Sequence, residues 1–299
     1  MLSLHTNSAA LSAQSSISRT QTSLSTSQTR LSTGFRINSA MDDAAGLQIA
    51  TRLKAQTSGM AVAMRNTQNS ISMMQTAEGA LDETTNILIR MKDLATQAAD
   101  GSSNDTDKTA MQAEFDALTK ELTNIVGNTA FGGQKLLNTT DAASKTGTFM
   151  AAAGTGVDFQ IGSSTSEKMN VDINAQLTTM HASIVGAATG YKSTGDAAAV
   201  TGTELTATAG ATIDLLKTAI DDVATVRSAL GAASNRLDHV YNNLANVSTN
   251  TKAATGRIMD TDFATESSNM TSSQMLLQAG TAMLKQSNST SSLVMSLLQ

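Results

Sequence analysis

From Leu216 to Ile258 the chain repeats apolar or small residues in unbroken steps of three and four: Leu216, Ala219, Val223, Val226, Leu230, Ala233, Leu237, Val240, Leu244, Val247, Thr251, Ala254 and Ile258. That rhythm is the seam of a long helix lying along another helix. At 1.5 Å per residue it predicts a helix on the order of 60 Å long. Its partner is legible nearer the N-terminus. Leu53, Met60, Thr67, Met74, Leu81, Leu88 and Ala95 share one heptad position, with Met64 and Ile71 at the other. Glu78 and Lys92 interrupt the second position and predict a stretch facing solvent or another subunit.

Nothing in the chain forbids helices of that length. None of the 299 residues is proline, the residue that removes a helix donor and clashes with the preceding turn. Asp42 and Asp43 suit the positive end of the first long helix. Asp100-Gly101-Ser102-Ser103-Asn104 supplies turn chemistry after it. A third helix follows, with Met111, Phe115, Leu118, Leu122 and Ile125 on one face, until Gly127-Asn128 and Gly132-Gly133 break the pattern.

The two ends have a seam but no charged coat. Leu4 and Leu11 are seven apart; after a one-residue slip Ile17, Leu24 and Leu31 continue at seven. Met270, Leu277, Leu284 and Leu298 fall on one seven-residue register, interrupted by Ser291. Residues 1–40 carry only Arg19, Arg30 and Arg36 as charges, and residues 267–299 only Lys285. A solitary coiled coil normally covers its outer face with Glu and Lys. Here that face is Ser, Thr, Gln and Asn, which predicts packing against further protein, hence assembly.

The formal charge of −5 therefore conceals positive ends and an acidic middle. No clustered basic face exists to neutralise phosphates, and 3% aromatic content leaves few stacking platforms, so a nucleic-acid partner is not expected. No apolar run approaches the ~20 residues that span a bilayer, and the N-terminus has neither a basic leader nor an apolar signal core. The absence of cysteine removes disulfides, thiolate metal sites and cysteine nucleophiles.

The middle differs in kind. Residues 139–210 are rich in Gly, Ser, Thr and Ala. Val157–Ile161 and Met169–Ile173 alternate apolar and polar, and Gly162-Ser163-Ser164 between them predicts a small β-hairpin. Residues 185–210 read as a surface excursion. The hydroxyl-rich 139–210 stretch suits O-linked sugars and an unmodified solvated loop equally well. The fold class is thus mainly α, a long antiparallel hairpin of N- and C-terminal helices with a β-hairpin near 157–173. Its predicted parts are terminal helices (1–42 and 257–299), a core rod (43–184 and 211–256) and the excursion.

Catalytic, cofactor and metal chemistry has no carrier. His5, His181 and His239 stand far apart without metal-ligand spacing, and Gly154-Thr155-Gly156 is an incomplete dinucleotide loop. Adjacent acids such as Asp82-Glu83 and Asp221-Asp222 diverge on a helix and read as solvated surface.

Several segments together resemble bacterial flagellin. They are Arg30-Leu31-Ser32-Thr33-Gly34, then Arg36-Ile37-Asn38-Ser39-Ala40-Met41-Asp42-Asp43-Ala44-Ala45-Gly46-Leu47, then Gln75-Thr76-Ala77-Glu78-Gly79-Ala80-Leu81. A looser block is Ala130-Phe131-Gly132-Gly133-Gln134-Lys135-Leu136-Leu137. Near the C-terminus come Arg227-Ser228-Ala229-Leu230-Gly231-Ala232, Asp262-Phe263-Ala264-Thr265-Glu266, Ser268-Asn269-Met270 and Gln278-Ala279-Gly280-Thr281. The likeness covers roughly 1–140 and 215–299, with a mid-chain part as short as in many lateral flagellins.

The resemblance implies an extracellular filament subunit for motility, exported by the flagellar type III apparatus without a cleaved leader. It implies terminal helices that form the inner tube and are disordered in the free monomer. Implied partners are further copies, an export chaperone, the filament cap and hook-associated proteins. Leu88–Gln97 resembles the surface read by the vertebrate Toll-like receptor for flagellin, with Arg90, Leu94 and Glu114 implied as contacts. The alternative is a hook–filament junction protein, a family that usually carries Asp-Asp-Pro where this chain has Asp42-Asp43-Ala44.

Overall fold

The computed structural model describes residues 7–138, 148–150, 156–195 and 201–297. Seven helices carry the fold: α1 (Ser8–Thr33), α2 (Ala44–Ala99), α3 (Asp105–Asn128), α4 (Asn174–Ala187), α5 (Glu204–Ala207), α6 (Ala209–Met259) and α7 (Phe263–Leu297). Two antiparallel hairpins accompany them: β1 (Ala130–Phe131) with β2 (Gln134–Lys135), and β3 (Val157–Gln160) with β4 (Lys168–Val171). The chain divides into two compact units, Met1–Thr57 with Thr249–Gln299 and Ser58–Ser248.

In the second unit the two predicted seams meet. Arg227 of α6 reaches Glu78 at 3.5 Å and Asp82 at 2.9 Å on α2, and the Ser234 hydroxyl lies 3.7 Å from Met74 Sδ. Rising numbers on one helix meet falling numbers on the other, so the pair is antiparallel. Met74, Leu81 and Leu88 on α2 and Leu216, Val223, Val226, Leu230 and Leu237 on α6 are buried in one core. Each such side chain contributes about 1.5–3 kcal/mol by leaving water. The Glu78 interruption of the heptad is met by the Arg227 guanidinium.

Local chemistry fixes the ends of α3. Asn104 accepts from the Asp107 N–H and Asp107 reaches back to the Asn104 N–H, a capping box before the apolar face of Met111, Phe115 and Leu122. Gly132 and Gly133, at φ 58° and 82°, make the tight turn joining β1 to β2. The expected mid-chain hairpin is present with Val157 opposite Val171 and Phe159 opposite Met169.

The middle also holds a helix that its composition conceals. Leu177, Met180, His181, Ile184 and Ala187 are the buried face of α4. Between α4 and α6, Ala188, Tyr191 and Leu205 are buried in the same core. Gln112 on α3 donates to Glu204 at 2.9 Å and accepts the Leu205 N–H at 2.7 Å. Lys192 N–H donates to Thr123 Oγ1 at 3.4 Å. The stretch 188–205 is therefore strapped along α3, apart from 196–200, which lie outside the described residues.

His181 anchors the strap. Leu137 O can only accept, so the His181 Nε2–H donates to it at 2.8 Å. Nδ1 is then the acceptor for the Tyr191 hydroxyl, also at 2.8 Å. Burial holds the imidazole below its ordinary pKa, against the bond to Leu137, and pushes the Tyr191 phenol up.

Candidate assembly surface

In the terminal unit α1 and α7 pack antiparallel. The Asn7 amide donates to Ser287 Oγ at 3.1 Å while its carbonyl caps α1 by accepting the Ala10 N–H at 3.1 Å. Further along, Gly280 faces Ile17, and at the far end Arg30 lies 3.8 Å from Glu266. The half-buried face of α1 is Ala10, Ala13, Ile17, Thr20, Leu24 and Leu31, with Ser27 buried. On α7 it is Met270, Ser273, Leu277, Gly280, Leu284 and Ser287, with Glu266 buried. Ile17, Leu24, Leu31, Met270, Leu277 and Leu284 thus share the α1–α7 seam of a single copy.

Leu11 lies off that seam and is 64% exposed. So are Met275, Leu276 and Met283 at 59, 62 and 67%. Leu4 and Leu298 lie outside the described residues.

A junction closes the pair. Gly34, at φ 76°, ends α1 with its N–H on Arg30 O, and Phe35 bridges Asp260. Arg36 N–H donates to Met259 O at 2.6 Å, and Thr261 N–H to Gly34 O at 3.0 Å. The two expected dipole carboxylates do different work. Asp43 caps α2 by accepting the Gly46 N–H at 2.8 Å. Asp42 folds back on the Asn38 and Ser39 N–H groups, and these bonds, that from Ser39 foremost, hold its carboxyl below the ordinary range. Asp262 caps α7 and is held low in the same way, first by the Thr265 hydroxyl.

A groove of about 690 Å³ runs between α1 and α7 beside Arg19, Ser23, Ser27, Arg30, Ser272 and Ser273. Arg30 lines it, its guanidinium 3.8 Å from Glu266, and its buried Nε has no hydrogen-bond partner among the described residues. The wall on α1 is uncharged but for the two arginines, and its threonines are internally bonded. Thr22 donates to Ser18 O at 3.1 Å and Thr26 to Thr22 O at 3.0 Å.

Two family models match this chain. The bacterial flagellin N-terminal helical region covers residues 4–142, and the bacterial flagellin C-terminal helical region covers residues 213–298. The chain belongs to the flagellin family. Flagellin A of Vibrio anguillarum is 35% identical to it over 382 aligned positions, covering 100% of both chains. Polar flagellin F of Vibrio parahaemolyticus is 35% identical, covering 99% of each. Those alignments exceed 299 positions, so this flagellin is a short one. A structure described as a putative flagellar hook-associated protein from Vibrio parahaemolyticus covers 73% of this flagellin at 16% identity and TM-score 0.52. At that identity the likeness shows shared fold alone. This flagellin is a structural subunit that polymerises into the flagellar filament.

The other expected residues of this flagellin are distributed as follows. Met60, Met74, Leu81, Leu88, Val226, Leu230 and Leu237 are buried, and Ile71 packs partly buried beside them. In the terminal unit Leu53 is half-buried. Along α6 burial thins at Val240 and Leu244, and Val247 is exposed while Ser248 takes the buried position. Arg90 and Glu114 meet on the surface, with Arg90 Nε at 2.9 Å and Nη2 at 2.6 Å from Glu114 Oε1. Leu94 does not join them: it is 3% exposed, in the core. No helix among the described residues is long and apolar enough to cross a membrane.

Proposed function

We propose that the terminal unit is the assembly surface of this flagellin. Each copy pairs α1 with α7 through the Ile17–Leu24–Leu31 and Met270–Leu277–Leu284 faces and offers its outer, uncharged faces to neighbours. The observation that supports this is the exposure of Leu276 and Met283 on a helix whose only charge beyond Glu266 is Lys285. Large apolar side chains on a face without charge are favoured only where protein covers them. Leu4, Leu11 and Leu298 belong to the same reading.

In this reading residues 1–42 and 257–299 build the inner part of the filament. Residues 43–184 and 211–256 form the rod, and 185–210 lie on its outer side, anchored to the core by Ala188, Tyr191 and Leu205. The seam from Leu53 to Leu88, with Val226 to Val247, keeps the rod of each copy intact. The terminal pair buries too little apolar area by itself to offset ordering entropy and orders on assembly. Export by the flagellar type III apparatus, a chaperone, the filament cap and hook-associated proteins serve that assembly, and the protein has no catalytic task. The exposed Arg90–Glu114 pair is the part of the receptor-like surface that a receptor reaches in the monomer.

Electron microscopy of purified chains lacking 1–30 or 270–299 tests the reading. Neither truncation is expected to form filaments, while the helical signal of the remaining core is retained. Normal filaments from either one would contradict it.

A further inference from the structure

Resting on the reading that α1 and α7 of one copy stay paired in the assembled subunit, we infer that Arg30 and Glu266 are the positioning residues that decide which face of α7 meets α1. Helix α7 offers two faces of similar apolar content. Met270, Leu277 and Leu284, with Gly280, form the half-buried one. Leu276, Ala279 and Met283 form the other, turned about 100° away and exposed. Burial of apolar area separates them little, because among the described residues no apolar side chain of either helix is fully buried.

Charge does separate them. Among the described residues the buried positions of α1 and α7 are Ser27 and Glu266, both polar and both at the end next to the junction. Glu266 is the one carboxylate in the α7 sequence, and it is 7% exposed. A carboxylate is tolerated at such depth beside a cation, and the Arg30 guanidinium lies 3.8 Å away. Each charge also suits its helix, Arg30 in the last turn of α1 and Glu266 in the first turn of α7.

Steps of four and three lead from Glu266 through Met270, Ser273, Leu277 and Gly280 to Leu284, so the carboxylate belongs to the face that meets α1. The matching position on the other face is Thr265, whose hydroxyl already donates to Asp262 at 2.9 Å. Turning that face inward takes Glu266 out of reach and leaves Arg30 with Asp42 at 4.0 Å. One buried polar position is how a helix pair with an ambiguous apolar seam fixes a single arrangement. The Arg30–Glu266 pair thereby also decides that Leu276 and Met283 are the side chains left outside.

The full-length chain has no cysteine, so introduced pairs report the rotation of α7 directly. A Cβ at position 280 would lie 2.9 Å from Ile17 Cγ1, so Ile17→Cys with Gly280→Cys bridges within one chain in the observed rotation. Ile17→Cys with Ala279→Cys reports the other rotation. Each reporter chain is copolymerised with an excess of unsubstituted chain and oxidised, and its intrachain bridge is counted by mass after denaturation. The 17–280 bridge is expected to predominate. Glu266→Gln keeps the shape and removes the charge; it is expected to lower the ratio of 17–280 to 17–279 bridges about tenfold, and Glu266→Asp to preserve it. An unchanged ratio in the Glu266→Gln chain overturns the assignment. Absence of both bridges from filaments overturns instead the reading that the two helices pair within one assembled copy. If the Glu266→Gln chain does not enter filaments, Arg30→Gln with Glu266→Gln decides. With neither charge left unpaired that chain is expected to assemble in both rotations, and its exclusion, or a retained preference for the 17–280 bridge, overturns the proposal.

Discussion

Gly280 on α7 stands directly against Ile17 on α1: a Cβ at position 280 would lie 2.9 Å from Ile17 Cγ1. The glycine is thus a packing device that lets two helices approach at the middle of an otherwise half-buried seam. In an unconstrained helix Gly→Ala gains roughly 0.5–1 kcal/mol. Gly280→Val is expected instead to cost about 1–3 kcal/mol, because the branched side chain forces Ile17 aside. Thermal melting of assembled filaments checks this, with a lowered midpoint expected.

Two glycines in the other unit approach still more closely. A Cβ on Gly127 would fall 2.0 Å from Gly195 Cα, which is backbone and cannot swing away. Gly195 also holds φ 81°, a conformation that other residues rarely adopt. Gly127→Ala is therefore expected to lift residues 188–205 off α3 and to speed hydrogen exchange there. Gly231→Ala is the comparison, because nothing lies within 4 Å of a Cβ on Gly231 in α6. It is expected to be neutral or slightly stabilising.

Acid is expected to loosen the same strap. Burial depresses the His181 pKa below 6.5, so the folded chain binds the proton less readily than the unfolded one. Its contribution is complete above pH 6.5 and is lost as pH falls towards the depressed folded value, at up to about 1.4 kcal/mol per pH unit. Glu204 acts with the same sign at lower pH. Burial pushes its carboxyl up, but hydrogen bonds from Thr189 and Gln112 outweigh this and hold it below 4.5. Its contribution is present above 4.5 and lost as pH falls through the lowered value. Urea unfolding followed from pH 7 down to pH 3 checks both. His181→Gln is expected to flatten the curve between pH 6.5 and 5.

The Arg90–Glu114 pair and Leu94 are expected to separate under mutation. Arg90 and Glu114 are about half exposed, and such a pair contributes at most about 1 kcal/mol to stability. Arg90→Ala should leave the melting curve nearly unchanged and weaken receptor activation by monomer. Leu94→Ala should cost about 2–5 kcal/mol, because it empties a core position. Equal receptor loss from both at unchanged stability would contradict this separation.

The parts of the fold set by periodicity were legible from residues alone. The seam from Leu216 to Leu237 buries the side chains that its three-four rhythm selects, and Val157–Gln160 pairs with Lys168–Val171. On α1 the rhythm was less decisive, because Thr20 and Ser27 occupy seam positions that an apolar scan passes over. Helix α4 was hidden differently: Leu177, Met180 and Ile184 carry a helical period inside a stretch whose Gly, Ser and Thr content reads as loop. Contacts between residues far apart in the chain left no local signal. His181 looked like an isolated histidine, and its partners Leu137 and Tyr191 come from two other segments. The exposed Leu276–Met283 stripe was readable as a spacing, but only the packing of α7 on α1 shows that it is the face left over.

A cryo-EM map of the native filament tests the central claim most directly. If the terminal unit is the assembly surface, Leu276 and Met283 of each copy are buried against neighbouring copies, with α1 and α7 paired inside each copy. Finding those two side chains facing a water-filled lumen, with the terminal helices of neighbouring copies out of contact, would contradict it.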